Sequence, residues 1–225
     1  MPGKEYVTSR NEYMLVSMKN DHSHRKVVAD TKEVVSVFRT HGGILRFVEA
    51  RQFGIMPPTL YRLRDQGVIQ TMGRGLYRLV DYPPHTQPDL IAVARKIPRA
   101  VICLVSALAF HDLTDEVPHV VEFALPRGSE PPRLEYPPTH LYWFTGQAYS
   151  EGIETHEIDG SPVRLYGPEK TIADCFKYRN KIGMDVVLDA IRRYRAKKFR
   201  GDELMRFARI CRVHNVMRPY LEAML

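Results

Sequence analysis

Residues 29–80 combine three short helical patterns with two β-prone runs, and this order of elements restricts the possible folds more than any other feature of the chain. The helical patterns cover about residues 29–41, 44–52 and 57–66. The β-prone runs, 68–72 and 76–80, flank Gly73-Arg74-Gly75, a sequence typical of a hairpin turn. Three helices and a hairpin within such a length predict a winged helix-turn-helix domain over residues 29–80.

Apolar residues at helical spacing predict which sides of these helices face the core. The residues expected to face inward are Val34, Val35 and Phe38 in the first helix, Leu45 and Val48 in the second, and Leu60 and Leu63 in the third. With the third helix buried along Leu60 and Leu63, a rotation of about 100° per residue turns Tyr61, Arg62 and Asp65 away from the core.

We predict that the DNA contacts come from the outer helix faces and from the wing. The predicted residues are Arg46, Arg51, Thr59, Tyr61, Arg62, Arg74 and Arg78. A recognition helix reads bases in the major groove, where arginine reads guanine through two hydrogen bonds. Arg46 and Arg51 are expected to hold backbone phosphates, and Arg74 to reach a phosphate or the minor groove. The alternative is that this small domain binds protein or only packs on its neighbour.

Residues 81–88 contain three prolines, which exclude a regular helix or a central strand. We therefore predict a linker there, followed by a larger domain over residues 89–225. Its helical patterns and β-prone runs are, in order, helices at 89–96 and 104–112, strands at 120–125, 141–145, 153–158 and 163–166, and helices after Pro168. The prediction is an α+β fold, with an N-terminal winged helix-turn-helix and a larger C-terminal α/β domain that has a small mixed sheet and a helical C-terminus. Residues 1–28 are predicted to be an arm or a short helix.

The net charge of +7 is unevenly distributed. Residues 1–80 contain 13 Lys and Arg against 7 Asp and Glu, residues 81–191 contain 10 against 16, and residues 192–225 contain 10 against 3. Basic ends attract phosphate backbones through counterion release, although solvated charged faces account for the same balance. The densest basic run is Arg192, Arg193, Arg195, Lys197, Lys198 and Arg200. We expect this run to hold nucleic acid or an acidic partner, the alternative being a solvated helix end.

Other features exclude several classes of protein. Three widely spaced cysteines without a C-x-x-C pair argue against a disulfide framework or a zinc ribbon. No apolar run approaches the roughly 20 residues that span a bilayer, and the N-terminal segment is too polar for a signal peptide, so we expect a cytoplasmic protein. His22 and His24 lack further ligands, so we expect no metal and no cofactor. Because the chain has no G-x-S-x-G, P-loop or H-E-x-x-H motif, we do not expect an enzyme.

Three blocks follow the helix-turn-helix pattern in order: RGLYRL at residues 74–79, SALAFHDL at 106–113 and GPEKTIAD at 167–174. In this order they resemble the AbiEi family of antitoxins, and the resemblance runs from about residue 30 to the C-terminus. It implies a type IV toxin–antitoxin pair. The winged-helix domain would repress its own operon at inverted repeats in double-stranded DNA. The C-terminal domain would counter a nucleotidyltransferase-like toxin encoded next door, in several members without a stable complex. The alternative is a protein-interaction module or an orphan regulator that uses a winged helix without antitoxin activity.

Overall fold

A computed structural model of the protein describes residues 30–224. Its helices are α1 (Thr31–Thr40), α2 (Phe47–Gln52), α3 (Pro57–Asp65), α4 (Pro88–Lys96), α5 (Leu104–Phe110), α6 (Gln147–Ser150), α7 (Pro168–Lys177), α8 (Arg179–Ile182), α9 (Met184–Lys198), α10 (Gly201–Ile210) and α11 (His214–Met224). Its strands are β1 (Ile44–Arg46), β2 (Ile69–Gly73), β3 (Leu76–Leu79), β4 (Val101–Ile102), β5 (Val121–Pro126), β6 (Thr139–Phe144), β7 (Ile153–Ile158) and β8 (Ser161–Tyr166). The arm predicted at 1–28, with His22 and His24, lies outside the described residues.

Residues 30–79 form a winged helix-turn-helix domain. Its three helices pack on a three-stranded antiparallel sheet of order β1-β3-β2, in which β2 and β3 form the predicted hairpin. Val34 and Phe38 of α1 and Leu60 and Leu63 of α3 are fully buried in one core, as the helical spacing predicts. Burial of these faces is what holds such short helices, because helices of this length are marginal in isolation.

The prediction of one helix over residues 44–52 was wrong at its start. Residues 44–46 form β1, which pairs with β3 so that Leu45 lies opposite Tyr77, and α2 begins only at Phe47. The backbone of Gly43 directs this change, since its N–H donates to Phe38 O and its carbonyl accepts from Leu79 N. Val48 was expected to face inward but is 60% exposed.

The larger domain contains a five-stranded mixed sheet of order β6-β5-β4-β8-β7. β5 and β6 are parallel, as are β4 and β8, whereas β4–β5 and β7–β8 are antiparallel. The sheet, the helices before it and the helical C-terminus agree with the predicted α+β fold, which is confirmed. The two-residue strand β4 was not predicted. Within residues 30–224, no helix combines the length and the apolarity that crossing a membrane demands.

Each face of the five-stranded sheet supports its own core. On one face, α5, α7, α9, α10 and α11 pack around residues such as Val101 and Tyr166. On the other face, α4 packs with Ile102 and Leu165, because successive strand residues point to opposite sides. Ile44 and Leu76 of the winged-helix sheet belong to this second core. The winged-helix sheet therefore buries one face against its own helices and the other against the larger domain.

Residues 80–87 connect β3 to α4 and pack against the β7–β8 turn. The backbone N–H and the hydroxyl of Thr86 donate to Asp159 Oδ2 at 2.6 and 3.0 Å. The His85 side chain is 1% exposed. Arg95 of α4 donates from Nη2 to His41 O at 2.7 Å, which ties the larger domain to the end of α1. The division of the chain at residues 81–88 stays a prediction.

Candidate nucleic-acid interface

Helix α3 presents a polar face to solvent. Proline at its first positions suits the first turn, where backbone N–H groups have no partner within the helix. Tyr61, Arg62 and Asp65 are exposed, on the side opposite the buried Leu60 and Leu63. Thr59, which was also predicted to contact DNA, is 8% exposed, so little of its side chain is accessible to a ligand.

Arg64 lies beside this face and has two partners within α3. It forms an ion pair of 2.8 Å with Asp65, and its guanidinium lies 5.3 Å from the centre of the Tyr61 ring. These three exposed side chains therefore form one patch. Because the ion pair is exposed to water, a phosphate can compete with Asp65 for Arg64 at low cost.

The wing carries a second cationic group. Gly75 has a φ of +72°, a value that glycine adopts readily, and the turn leaves Arg74 exposed. Lys96, in the last turn of α4, donates from its ammonium group to the carbonyl oxygen of Arg74. The wing tip is thus held by the larger domain, which adds a positive charge next to Arg74. Nothing in the sequence spacing indicated Lys96, because it is 22 residues away from Arg74.

Arg46 and Arg78 point to a different side of the molecule. In the β1–β3 pair, Arg46 lies opposite Leu76 and Ile44 lies opposite Arg78, so these four side chains share the face that packs on the larger domain. Arg46 pairs with Glu49 at 3.0 Å. Arg78 donates to Tyr82 O at 3.2 Å, and its buried Nε has no hydrogen-bond partner among the described residues. The structure therefore does not bring these two arginines together with α3.

Arg51 remains close to the predicted arrangement. It lies exposed in the last turn of α2, the helix that precedes α3. In this position a cationic side chain is available to a phosphate that approaches α3. The predicted DNA contacts thus divide into an exposed set of Arg51, Tyr61, Arg62 and Arg74 and an enclosed set of Arg46, Thr59 and Arg78.

Two of the sequence blocks and the basic run meet at one cleft of about 410 Å³ in the larger domain. It is lined by His111 from the SALAFHDL block, by Glu169 from the GPEKTIAD block, and by Lys197 and Arg200 from the basic run. Lys197 donates to His111 O at 2.9 Å, and Arg200 Nε lies 2.6 Å from Glu169 Oε1. No local spacing predicts this meeting, since these segments are tens of residues apart in the chain.

The ionisable groups of this cleft are tuned by burial and by hydrogen bonds. Burial lowers the pKa of His111, whose Nε2 lies 2.8 Å from the Tyr166 carbonyl oxygen. Burial opposes ionisation of Glu169, but hydrogen bonds from Arg200 and Tyr194 hold the pKa of this carboxyl below its usual value. The cleft therefore combines an imidazole that favours its neutral form with a buried carboxylate.

Ser106, Lys170 and Asp174 of these two blocks are buried and bonded within the protein. Lys170 forms a buried ion pair with Asp174, which also accepts a hydrogen bond from Cys211 Sγ at 3.1 Å. The Ser106 hydroxyl donates to Val120 O and accepts from Glu122 N, which joins α5 to β5. Cys103, Cys175 and Cys211 are buried as free thiols, and burial raises the pKa of each.

The basic run does not form one uniform surface. Arg193 is paired with Asp115 and with Asp189, and Lys197 lies 3.6 Å from Asp112. Arg192 and Arg195 are exposed, and neither has a hydrogen-bond or ion-pair partner within residues 30–224. Only part of the run is therefore available to an outside ligand.

Comparison with known proteins identifies the N-terminal domain. Residues 32–80 match the family model described as a transcriptional regulator, AbiEi antitoxin. Within residues 32–80 the chain matches the AbiEi family, and we call this part of the chain the AbiEi domain. The match confirms the resemblance inferred from the sequence over these residues, whereas the SALAFHDL and GPEKTIAD blocks lie outside it.

A solved structure also matches most of this chain, beyond the AbiEi domain. The crystal structure of the RV2827C protein from Mycobacterium tuberculosis is similar with a TM-score of 0.56 and 15% sequence identity, over 81% of this chain and 74% of that chain. At this identity the similarity shows a shared fold alone. None of the curated proteins that were compared matches the chain. The fold of most of the chain thus has a counterpart in a second protein.

Proposed function

We propose that this protein is a cytoplasmic DNA-binding repressor of its own operon and an antitoxin that counters a nucleotidyltransferase-like toxin. The observation that carries the first half is the exposed face of α3 next to the wing, on a domain of the AbiEi family. Tyr61 and Arg62 on α3 and Arg74 on the wing are the residues we assign to DNA. The proposal gives the protein no catalytic step of its own.

The chemistry of these side chains supports the assignment. A guanidinium on the outer face of a recognition helix reaches the N7 and O6 acceptors of guanine in the major groove. Arg74, exposed at the tip of a hairpin, suits a phosphate or the narrower minor groove. Inverted repeats require two copies of this surface, since each half-site is read by one winged helix.

The first experiment is a titration of the DNA upstream of the gene, against a scrambled duplex, at two salt concentrations. Arg62→Ala should weaken specific binding by about 1–3 kcal/mol and relax the base preference at one position. Arg74→Ala should weaken binding to both duplexes and reduce the salt slope by about 1. Arg209→Ala, an exposed change on α10, serves as the matched control.

Unchanged affinity in both Arg62→Ala and Arg74→Ala contradicts the assignment of these residues. Absence of a specific complex with folded wild-type protein contradicts the repressor function itself. The second half is tested separately, by co-expressing the adjacent nucleotidyltransferase-like reading frame with and without this protein. Restored growth supports the antitoxin activity, and continued arrest contradicts it.

A protein-binding role is the second candidate, and one observation favours it. Val48, Phe53 and Met56 of the α2–α3 region are 60%, 36% and 42% exposed. These three side chains lie within nine residues of the chain, and contiguous exposed apolar patches are typical of surfaces that bind protein. A winged helix that binds protein alone predicts no specific DNA complex, together with loss of the partner when Val48 is changed to Asp.

A further inference from the structure

A pocket of about 240 Å³ lies where the AbiEi domain meets the larger domain. Arg46 and Glu49 line it from the start of α2, Arg95 from the end of α4, and Thr155 and Arg164 from β7 and β8. Pockets at domain interfaces are frequent ligand sites, and this one is smaller than the usual site for a large organic ligand. Its size suits a compact ligand group.

The lining has an excess of positive charge. Three guanidinium groups face one carboxylate, Glu49, which is shared between Arg46 Nε at 3.0 Å and Arg95 Nη1 at 3.8 Å. Burial lowers the pKa of Arg95 and the charge of Arg46 lowers it further, whereas Glu49 and Glu157 raise it. Glu49 in the lining and Glu157 near Arg95 therefore balance only two of the three guanidinium charges, and the pocket keeps a net positive charge.

Arg46 and Arg164 have hydrogen-bond donors that are not used within the described residues. Arg46 uses Nε for Glu49, and its two terminal nitrogens have no hydrogen bond to any residue in the described part of the chain. Arg164 makes a single long contact of 3.5 Å from Nη1 to Pro98 O. A guanidinium presents its donors as a planar fork that matches the oxygens of a phosphate. Arg95, by contrast, is only 11% exposed and is already bonded to His41 O and Ser161 Oγ.

We propose that this pocket binds a phosphate group, with Arg46 and Arg164 as hydrogen-bond donors and Arg95 as a fixed positive charge. The phosphate has two possible sources. One is the backbone of bound DNA, because Phe47 N donates to Gly75 O at 2.8 Å and so joins this end of α2 to the wing. The other is a free phosphate-bearing ligand that binds in the pocket between the two domains. Only the first source rests on the proposed function.

The test measures inorganic phosphate and pyrophosphate binding to the full chain by calorimetry, together with affinity for the upstream DNA. The variants are Arg164→Ala, Arg164→Lys and, as a matched control, Arg209→Ala. For a free ligand, we expect saturable anion binding that falls about tenfold in Arg164→Ala, less in Arg164→Lys and not in Arg209→Ala, with DNA affinity unchanged. Circular dichroism melting checks that each variant is folded.

For a DNA phosphate, we expect Arg164→Ala to weaken DNA binding about tenfold and to reduce the salt slope by about 1. Wild-type protein that does not saturate with either anion, together with unchanged DNA affinity and slope in Arg164→Ala, overturns the proposal. Specific DNA binding that is unchanged in Arg164→Ala still supports the repressor function. Saturable anion binding by a protein that forms no specific DNA complex supports the phosphate pocket and contradicts the repressor function.

Discussion

His85 is enclosed at the junction between the two domains. Its ring stacks on Tyr82 with ring centres 5.4 Å apart, and Nδ1 lies 3.6 Å from Asp159 Oδ2. Neither ring nitrogen forms a hydrogen bond within residues 30–224. Burial lowers the pKa of His85 and the nearby charge of Arg78 lowers it further, which outweighs the attraction of Asp159. The folded protein therefore favours the neutral imidazole.

This environment predicts a loss of stability in mild acid. The folded pKa of His85 lies below the unfolded value of about 6.5, so the unfolded chain binds the proton more readily and stability falls as the pH drops from that value. We expect His85→Gln to lose less unfolding free energy than the wild type between about pH 7.5 and about pH 5.5. Urea unfolding at both pH values measures the difference.

His119→Gln provides the control, because His119 is exposed. An equal pH dependence in wild type, His119→Gln and His85→Gln would show that His85 does not contribute. His111 is expected to add to the residual dependence in His85→Gln, since burial also lowers its pKa.

Single residues show where sequence reasoning was sufficient and where it was not. The spacing of Leu60 and Leu63 correctly predicted which side of α3 is exposed, because a helix fixes directions locally. Arg46 was assigned to a helix, whereas it lies in β1, where alternation turns it towards the larger domain. Its direction depends on pairing with β3, some 30 residues later, and no local pattern contains that information.

At the scale of elements, the turn between α1 and β1 is fitted against the β7–β8 turn. Gly42 has a φ of +69°, and a Cβ placed on it meets Asp159 O at 2.6 Å. Gly67, after α3, has a nearly identical φ of +70° but has no atom within 4 Å of such a Cβ. The two glycines therefore separate the effect of backbone strain from the effect of contact between the turns.

We expect Gly67→Ala to lower the unfolding free energy by about 1–2 kcal/mol, the cost of a left-handed conformation for a residue with a side chain. Gly42→Ala should cost a further 1–3 kcal/mol or so, because the two turns must move apart. Chemical denaturation of both variants gives the comparison. Equal losses of unfolding free energy in the two variants would mean that the contact between the turns adds no cost.

Elements were predictable in proportion to their length and regularity. The strand predicted at 153–158 coincides with β7, and the helix predicted at 89–96 differs from α4 by one residue. β4 escaped prediction because two residues cannot show a period of two. The 44–46 segment was misassigned because the spacing of Leu45 and Val48 fits one face of a helix, whereas the strand depends on pairing with β3, a distant partner.

For the whole molecule, stability depends on the core that the winged-helix sheet shares with the larger domain. Leu76 lies in the wing sheet but packs with Ile91, Phe123 and Val163 of the larger domain. Removing its side chain should therefore weaken both domains together, by about 2–5 kcal/mol for a buried leucine. The single tryptophan, Trp143 on β6, reports on the larger domain alone.

The measurement is denaturation of wild type and Leu76→Ala, followed by Trp143 fluorescence and by circular dichroism. We expect both signals to shift together to lower denaturant, in one transition. Leu60→Ala, which empties a site inside the winged-helix core, should shift the fluorescence transition as well. A fluorescence transition that stays at the wild-type position in Leu76→Ala would mean that the two domains unfold independently.

The two-sided burial of the winged-helix sheet also bears on how such proteins diversify. A winged-helix domain whose sheet is buried on one face only can be exchanged between relatives by recombination. Here Ile44 and Leu76 pack against α4 and the five-stranded sheet, so an exchanged domain must bring a sheet face that fits the larger domain. If α3 reads DNA as proposed, substitutions on its outer face change the base preference without disturbing this shared core, whereas exchange of the whole domain disturbs it.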